Sequence, residues 1–215
     1  NVFNNNYKNT NMLMLQGQNN LFFNKFRGIK NLLTNYDAPY GYNFIKDYGN
    51  IKLYKNENVY SLGFSLSNLL NYDEYNKLSF IEKLLVYQNN ITINGESVNS
   101  DLEFNYEKIN LDYNVKETKN INIKKEDNHF IIDSLYNGEI VLSLNDSIKG
   151  KTIVIQFVVN NDFEDSRAIT INNIMNTLTY QNSEYYNNNK TFDYVISSNE
   201  EIKELNIEFY KGIYD

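Results

Sequence analysis

The stretch TIVIQFVV at residues 152–159 is an almost unbroken apolar run, and it follows the turn-like segment Lys149-Gly150-Lys151. A short apolar run rich in β-branched residues is typical of a strand that is covered on both faces. We therefore expect a central strand here, lying between the two layers of an antiparallel, jelly-roll-like β-sandwich.

Strand-like segments separated by turn residues fill the second half of the chain. Turn chemistry recurs at Asn137-Gly138, at 149–151 and at 160–162. The predicted strands are 102–106, 121–125, 130–133, 139–144, 152–159, 168–171, 192–196 and 205–210. This spacing predicts a β-sandwich domain over residues 96–215.

The first half has a mixed pattern, which predicts a small α/β lobe over residues 1–95 and an α+β fold class for the whole chain. The apolar spacing over residues 20–33 predicts a short helix that runs into a strand. Ser79 and Glu82 have capping-box spacing ahead of an apolar run. A helix should therefore begin near Ser79 and end at Asn89-Asn90.

The segment IKLYKNENVYSLGFSLS at residues 51–67 predicts a hairpin, with a turn at 56–58 and a second strand through Val59 and Leu62. Gly63 interrupts that second strand. A glycine at such a position marks a bulge or a close backbone approach, and a ligand contact is the alternative interpretation.

Composition limits the functional classes. The chain has 215 residues, a formal net charge of -7, no cysteine and one histidine, His129. Without a cluster of basic residues, nucleic acid is not an expected partner. Without a Walker-type loop, a dinucleotide-binding glycine motif or an H-E-x-x-H motif, a nucleotide or a catalytic metal has no support either. A lone histidine beside Phe130 in a predicted strand is more often a surface or packing residue than a catalytic one, so we expect the chain itself to be non-catalytic.

The aromatic loop containing Tyr180, Tyr185, Tyr186 and Asn187 is the predicted binding surface. Tyrosine rings stack on sugar rings, and asparagine amides bond to hydroxyl groups. The alternative is an exposed hairpin tip whose tyrosines pack on their own strands.

Asp162, Glu164 and Asp165 lie close together in a predicted loop. Ca²⁺ takes six to eight oxygen ligands, and oxygen-rich loops supply them. These residues predict either a structural Ca²⁺ site or a solvated acidic turn, and no other cofactor is expected.

Three short motifs follow one another in the first half: FRGIK at 26–30, IKLYKN at 51–56 and LGF at 62–64. In this order, with a helix near Ser79 after them, they resemble the soluble, extracytoplasmic C-terminal region of YfhO-like bacterial membrane proteins. The ending FYKGIY at 209–214 also resembles it. The motifs cover residues 20–90, and Phe26-Arg27 and Asn31 depart from the leucine and tyrosine usual there.

The resemblance implies a polytopic glycosyltransferase of the GT-C type that decorates teichoic acids or related cell-wall polymers of Gram-positive bacteria. Its catalytic acids are expected outside this chain, so no catalytic residue is carried over. The expected location is the extracytoplasmic face of the cell membrane, as part of a membrane-anchored protein. The expected partners are its own transmembrane region and an envelope glycopolymer, and the expected role is accessory or acceptor-binding.

A free-standing carbohydrate-binding or adhesive surface protein is the alternative. The chain starts at Asn1 and holds no apolar run near the roughly 20 residues that cross a bilayer. We expect a piece of a longer protein, flanked by apolar helices under the first hypothesis and by a signal peptide and an anchor under the second.

Overall fold

The computed structural model describes residues 20–99, 102–127, 129–160, 167–178 and 190–215. Within these ranges the protein is mostly β-strand with a few short helices, and its sheets are mainly antiparallel, which confirms the predicted β-rich character. The helices are α1 (Leu21–Phe26), α2 (Tyr72–Lys77) and α3 (Phe80–Val86). The strands are β1 (Asn31–Thr34), β2 (Asn43–Asp47), β3 (Lys52–Lys55), β4 (Asn68–Asn71), β5 (Asn90–Ile93), β6 (Tyr113–Lys125), β7 (Phe130–Ile148), β8 (Thr152–Val158), β9 (Arg167–Ile171), β10 (Ile174–Leu178), β11 (Thr191–Ser197), β12 (Ile202–Phe209) and β13 (Gly212–Tyr214).

The largest sheet is built around β7. Strand β6 pairs along one edge of β7, while β12 and β13 pair one after the other along the opposite edge. Strands β9 and β10 extend the sheet beyond β12, and every pair in it is antiparallel. Strands β8 and β11 form a separate antiparallel pair.

The main core lies between this six-stranded sheet and the β8–β11 pair. Alternation along β7 turns Ile140 and Leu142 into the core, where they join Phe192 and Tyr194 of β11. Tyr194 is fully buried, and its hydroxyl donates a hydrogen bond to the Ile169 carbonyl at 2.7 Å. This bond ties β11 to β9 across the core, so the two layers are held by a polar contact as well as by apolar packing.

The N-terminal part contains the three-stranded antiparallel sheet β1-β3-β2. Leu32 of β1 and Tyr54 of β3 pack against Leu21 of α1 and against the fully buried Tyr42. The helix and strand predicted over residues 20–33 are present as α1 and β1. The side chain of Asn20 caps α1 by accepting hydrogen bonds from two backbone N–H groups in its first turn.

Strands β4 and β5 pair in parallel, and α2 and α3 connect them. The capping box predicted at Ser79 is present: the Ser79 N–H donates to the Glu82 carboxylate at 2.7 Å, and the Ser79 hydroxyl accepts from the Glu82 N–H. Leu102 and Phe104 pack onto the small core under these helices. The domain boundary at residue 95 stays a prediction.

The hairpin predicted over residues 51–62 is wrong. Strand β3 pairs with β1 and β2, and the described chain from 56 to 67 holds no strand. The buried Asn56 side chain accepts a hydrogen bond from the Asn58 N–H at 2.8 Å, which turns the backbone out of the sheet. Gly63 lies in this irregular segment, and an added Cβ would meet no atom within 4 Å. The predicted bulge or close approach at Gly63 is therefore also wrong.

Three predictions in the second half are wrong as well. Asn137-Gly138 lies inside β7 instead of separating two strands, and residues 102–106 form no strand. In the described part of the chain, β8 pairs only with β11 and is mostly half-buried, so 152–159 is not a central strand there. Its apolar run gave no information about how many neighbours it would have.

The other predicted strands lie inside β6, β7, β9, β11 and β12. Strand β10 was not predicted from the sequence. It is joined to β9 by Asn172 and Asn173, both in the left-handed region at φ 46° and 67°. Asparagine tolerates this conformation, which two-residue hairpin turns require.

Hydrogen bonds join backbone groups of the N-terminal part to two side chains at and just after the end of β11. The Tyr40 N–H donates to the Ser197 hydroxyl at 2.8 Å, and the Gly41 N–H donates to the Asn199 side-chain oxygen at 3.1 Å. The Asn199 amide nitrogen donates to the Tyr42 carbonyl. One asparagine side chain thus satisfies two backbone groups of the opposite segment.

Replacing Asn199→Ala should lower the free energy of unfolding by about 1–2 kcal/mol, because the Gly41 N–H and the Tyr42 carbonyl both lose a partner. Urea unfolding followed by circular dichroism measures the change. Asn50→Ala, at an exposed position of the β2–β3 turn, is the control and should stay within about 0.5 kcal/mol of the parent. Equal effects in the two variants would contradict the bridging role of Asn199.

Candidate functional site

Both sites predicted from the sequence lie outside the described residues. The binding loop of Tyr180, Tyr185, Tyr186 and Asn187 is one of them. The candidate Ca²⁺ ligands Asp162, Glu164 and Asp165 are the other. Among the residues that the structure does describe, no three His, Cys, Asp or Glu side chains are grouped as metal ligands would be.

A cleft of about 350 Å³ opens in the N-terminal part. It lies between α1, the irregular segment after β3 and the C-terminal end of α3. Phe22 and Phe26 line it from α1, Tyr60 from the irregular segment, and Leu84 and Tyr87 from α3. Aromatic and apolar side chains thus form most of its walls, as in typical ligand pockets.

Tyr60 is fixed from three directions. Its N–H donates to the Lys25 carbonyl at 3.0 Å, and its hydroxyl donates to the Gln88 carbonyl. Its ring stacks on the Phe64 ring at a centroid distance of 4.5 Å. Burial raises the pKa of the Tyr60 hydroxyl, so this group remains a donor at neutral pH. The ring is held in place before any ligand arrives.

The other aromatic side chains pack edge to face around this stacked pair. Phe26 meets Phe64 at 6.4 Å and Tyr87 at 5.6 Å between ring centroids. Tyr87 in turn meets the buried Tyr75 at 5.6 Å. Edge-to-face pairs stabilise by about 0.5–1.5 kcal/mol beyond the area they bury. We call Phe26, Tyr60, Phe64 and Tyr87 the aromatic cluster.

Gly28 lets α1 approach Tyr60. Its φ is +65°, and a Cβ at this position would lie 2.7 Å from the Tyr60 carbonyl oxygen. A side chain here would be strained by the left-handed backbone and would also push Tyr60 away. The cleft therefore depends on this glycine and not on Gly63.

The rim of the cleft is polar. The side chains of Lys25, Asn58 and Gln88 line it and bond to no other residue within the described ranges. Glu57 differs, since its carboxylate pairs with Lys30 and with Lys55 at 2.5 Å each. The hydrogen bond from Lys30, followed by that from Lys55, lowers the pKa of Glu57. Two amides and one ammonium group thus remain available to a ligand.

The described residues of this cleft offer groups that can hold a ligand. The one carboxylate among them, Glu57, is already paired with two lysines. His129 does not line the cleft; its Nε2 lies 3.1 Å from Asp215 Oδ1. An aromatic floor with amide groups around it suits a flat ligand rich in hydroxyl groups.

The sequence patterns did not identify Phe26, Tyr60 or Tyr87 as binding residues. Phe26 and Phe64 occur in the motifs that resemble the YfhO-like family, but those motifs carried only a packing role. The sequence carried little sign of the cleft, because its lining residues are spread over three segments and only the fold brings them together.

Comparisons of the chain with protein-family models, with curated proteins and with solved structures find no match. The resemblance to YfhO-like proteins therefore stays a prediction. Across the described ranges, no helix has the length and apolar character that crossing a membrane requires.

Gly28→Ala should destabilise the protein by about 1–3 kcal/mol, because the new methyl group meets the Tyr60 carbonyl and the backbone is left-handed. Gly63→Ala is the matched control, since open space surrounds it, and it should be neutral or stabilise by up to about 1 kcal/mol. Denaturant unfolding gives both values. If the two variants behave alike, the close approach at Gly28 is not structural.

Glu57→Gln should lower the melting temperature at pH 7 and have a smaller effect at pH 3. A carboxyl whose folded-state pKa is lowered stabilises the fold above its unfolded pKa, and it loses this contribution as the pH falls through the folded value. Since Glu57 is exposed, 1 M salt should also reduce the difference at pH 7. Glu96→Gln, at an exposed position without an ion pair in the described chain, should show neither dependence.

Proposed function

We propose that this chain is a non-catalytic glycan-contacting domain of a YfhO-like envelope glycosyltransferase, with an accessory or acceptor-binding role. The observation that carries the proposal is the cleft lined by Phe26, Tyr60 and Tyr87 of the aromatic cluster. Phe26 belongs to the family-like motif at 26–30, and residues 57–60 line the cleft between the motifs at 51–56 and 62–64. In this proposal the motifs position a binding surface in addition to their packing role.

The physical support is the match between the cleft and a sugar ring. The C–H face of a sugar is apolar and stacks on aromatic rings, while its hydroxyl groups need donors and acceptors at the edge. Tyr60 and Phe26 supply the rings, and Asn58 and Gln88 supply amides that are not used internally. A cleft of about 350 Å³ is at the small end of ligand pockets and suits one or two sugar units of a polymer.

We further propose the fold, the membrane attachment, the acceptor and an ion site. The fold class is α+β, with a jelly-roll-like sandwich following the small mixed lobe. The protein is anchored at the extracytoplasmic face of the membrane by its own transmembrane region, which performs the glycosyl transfer. The envelope glycopolymer, teichoic acid or a related polymer, is the acceptor that the cleft contacts. Asp162, Glu164 and Asp165 hold a structural Ca²⁺ ion.

A free-standing carbohydrate-binding or adhesive surface protein remains the second candidate, because the same cleft would serve it equally well. The two candidates differ in the sequence that surrounds residues 1–215 in the gene. Apolar helices on either side support the membrane enzyme. A gene that encodes no transmembrane helix would rule it out.

Asn58→Ala and Gln88→Ala should each weaken binding of purified lipoteichoic acid by about three- to tenfold, because each variant removes one hydrogen bond to the ligand. Both side chains are exposed and unbonded in the described chain, so the fold should not change. Microscale thermophoresis gives the dissociation constants, and melting temperatures verify folding.

Asn122→Ala is the matched control, since it is exposed on β6 and does not line the cleft. It should bind within about twofold of the parent. Tyr185→Ala and Tyr186→Ala, measured alongside, test the loop predicted from the sequence. Unchanged binding in both cleft variants, or no binding by the parent protein, would reject the proposed cleft.

A further inference from the structure

Strand β7 carries a large bulge at its middle. Its ladder with β6 passes directly from the Lys119–Glu139 pair to the Ile121–Ser134 pair. Residues 135–138 of β7 therefore face a single residue of β6. On the other edge of β7, β12 ends and β13 begins at the same level. Bulges of this kind re-aim side chains out of the sheet and are common beside functional sites.

The bulge is fixed by the buried Ser134 hydroxyl. This hydroxyl lies 2.8 Å from the Tyr136 carbonyl and 3.1 Å from the Phe209 carbonyl, and it accepts a hydrogen bond from the Gly138 N–H at 2.9 Å. A Cβ on Gly138 would lie 2.7 Å from the same hydroxyl. Opposite it, Asn120 takes the left-handed conformation at φ 53°. The bulge is thus a defined structure and not a loose loop.

The bulge projects Tyr136 over a concavity of about 610 Å³. Tyr136 is 70% exposed, the most of any tyrosine or phenylalanine among the described exposed residues, and its ring packs on no other described ring. The concavity is also lined by Asn120, Asn137 and Gly138. An exposed ring held above a polar hollow offers a stacking surface with hydrogen-bonding groups beside it.

The charged groups in the hollow balance one another. Lys119, Glu139 and Glu208 come from three adjacent strands at one level of the sheet, and Lys211 lies in the turn after β12. None of these four side chains forms a hydrogen bond or ion pair with any residue in the described ranges. Two ammonium groups and two carboxylates favour neither a polyanion nor a polycation. They offer donors and acceptors to an uncharged polar ligand.

We propose that this hollow is a second carbohydrate-binding site, and that it takes a neutral oligosaccharide. One sugar ring stacks on Tyr136, and its hydroxyl groups bond to the carboxylates and amides around it. A carboxylate or amide side chain can bond to two neighbouring hydroxyl groups at once, and the hollow contains two of each. The inference stands on the sandwich alone and does not require the cleft beside the aromatic cluster.

The test uses an array of neutral hexose and N-acetylhexosamine oligosaccharides, followed by calorimetric titration of the best ligand. Tyr136→Ala should weaken binding about tenfold or more, because the stacking ring is lost. Tyr136→Phe should bind within about threefold of the parent, because the ring remains. Ser134→Ala should also weaken binding, because the bulge loses its central hydrogen bonds. Tyr113→Ala, an exposed tyrosine on β6 outside the hollow, should not change it.

The outcomes separate the two sites. Neutral-oligosaccharide binding that falls with Tyr136→Ala and persists in Asn58→Ala and Gln88→Ala supports the second site, whether or not the cleft binds lipoteichoic acid. Binding that falls only in the cleft variants overturns the second site and leaves the proposed function standing. A parent protein that binds no neutral oligosaccharide at millimolar concentration also overturns the second site, while lipoteichoic acid binding still decides the first.

Discussion

Hydrogen bonding along both edges of β7 organises the larger sheet, because β6 pairs with one edge while β12 and β13 pair with the other. The strand also turns Ile140 and Leu142 into the core, where Phe192 and Tyr194 of the second layer meet them. Strand β7 therefore contributes both to the hydrogen-bond ladder of the sheet and to the main core. The bulge at its middle interrupts pairing on both edges at one level, which leaves the alternation on either side intact.

The N-terminal part is organised differently. Its elements are short, and aromatic side chains meet in pairs around Tyr60 and Phe26. Two hydrogen bonds fix this tyrosine from α1 and from the end of α3, while Gly28 provides the space it needs. Packing rather than regular strand pairing thus sets the geometry of the cleft. Phe26, Tyr60 and Tyr87, which pack in these pairs, also line the cleft.

Features set by neighbouring residues could be predicted from the sequence, whereas contacts between distant segments could not. The capping box at Ser79 was predicted because both of its residues lie within one helical turn. The apolar run at 152–159 correctly indicated a strand, but β11, with which it pairs in the described part of the chain, lies about forty residues away. The hairpin at 51–62 failed because Asn56 directs the chain out of the sheet through its own side chain. The cleft forms where Phe26, Tyr60 and Tyr87 come together, and no local sequence pattern predicts that they do.

The last strands have a consequence for truncation. Strands β12 and β13 pair with one edge of β7 on either side of the bulge, and the buried Phe209 and Tyr214 belong to the core beneath them. A chain ending before Ile202 would leave a long row of backbone N–H and carbonyl groups on β7 without partners. Such an edge is a template for pairing with another chain. Residues 202–215 thus shield this edge of β7 from pairing with another chain.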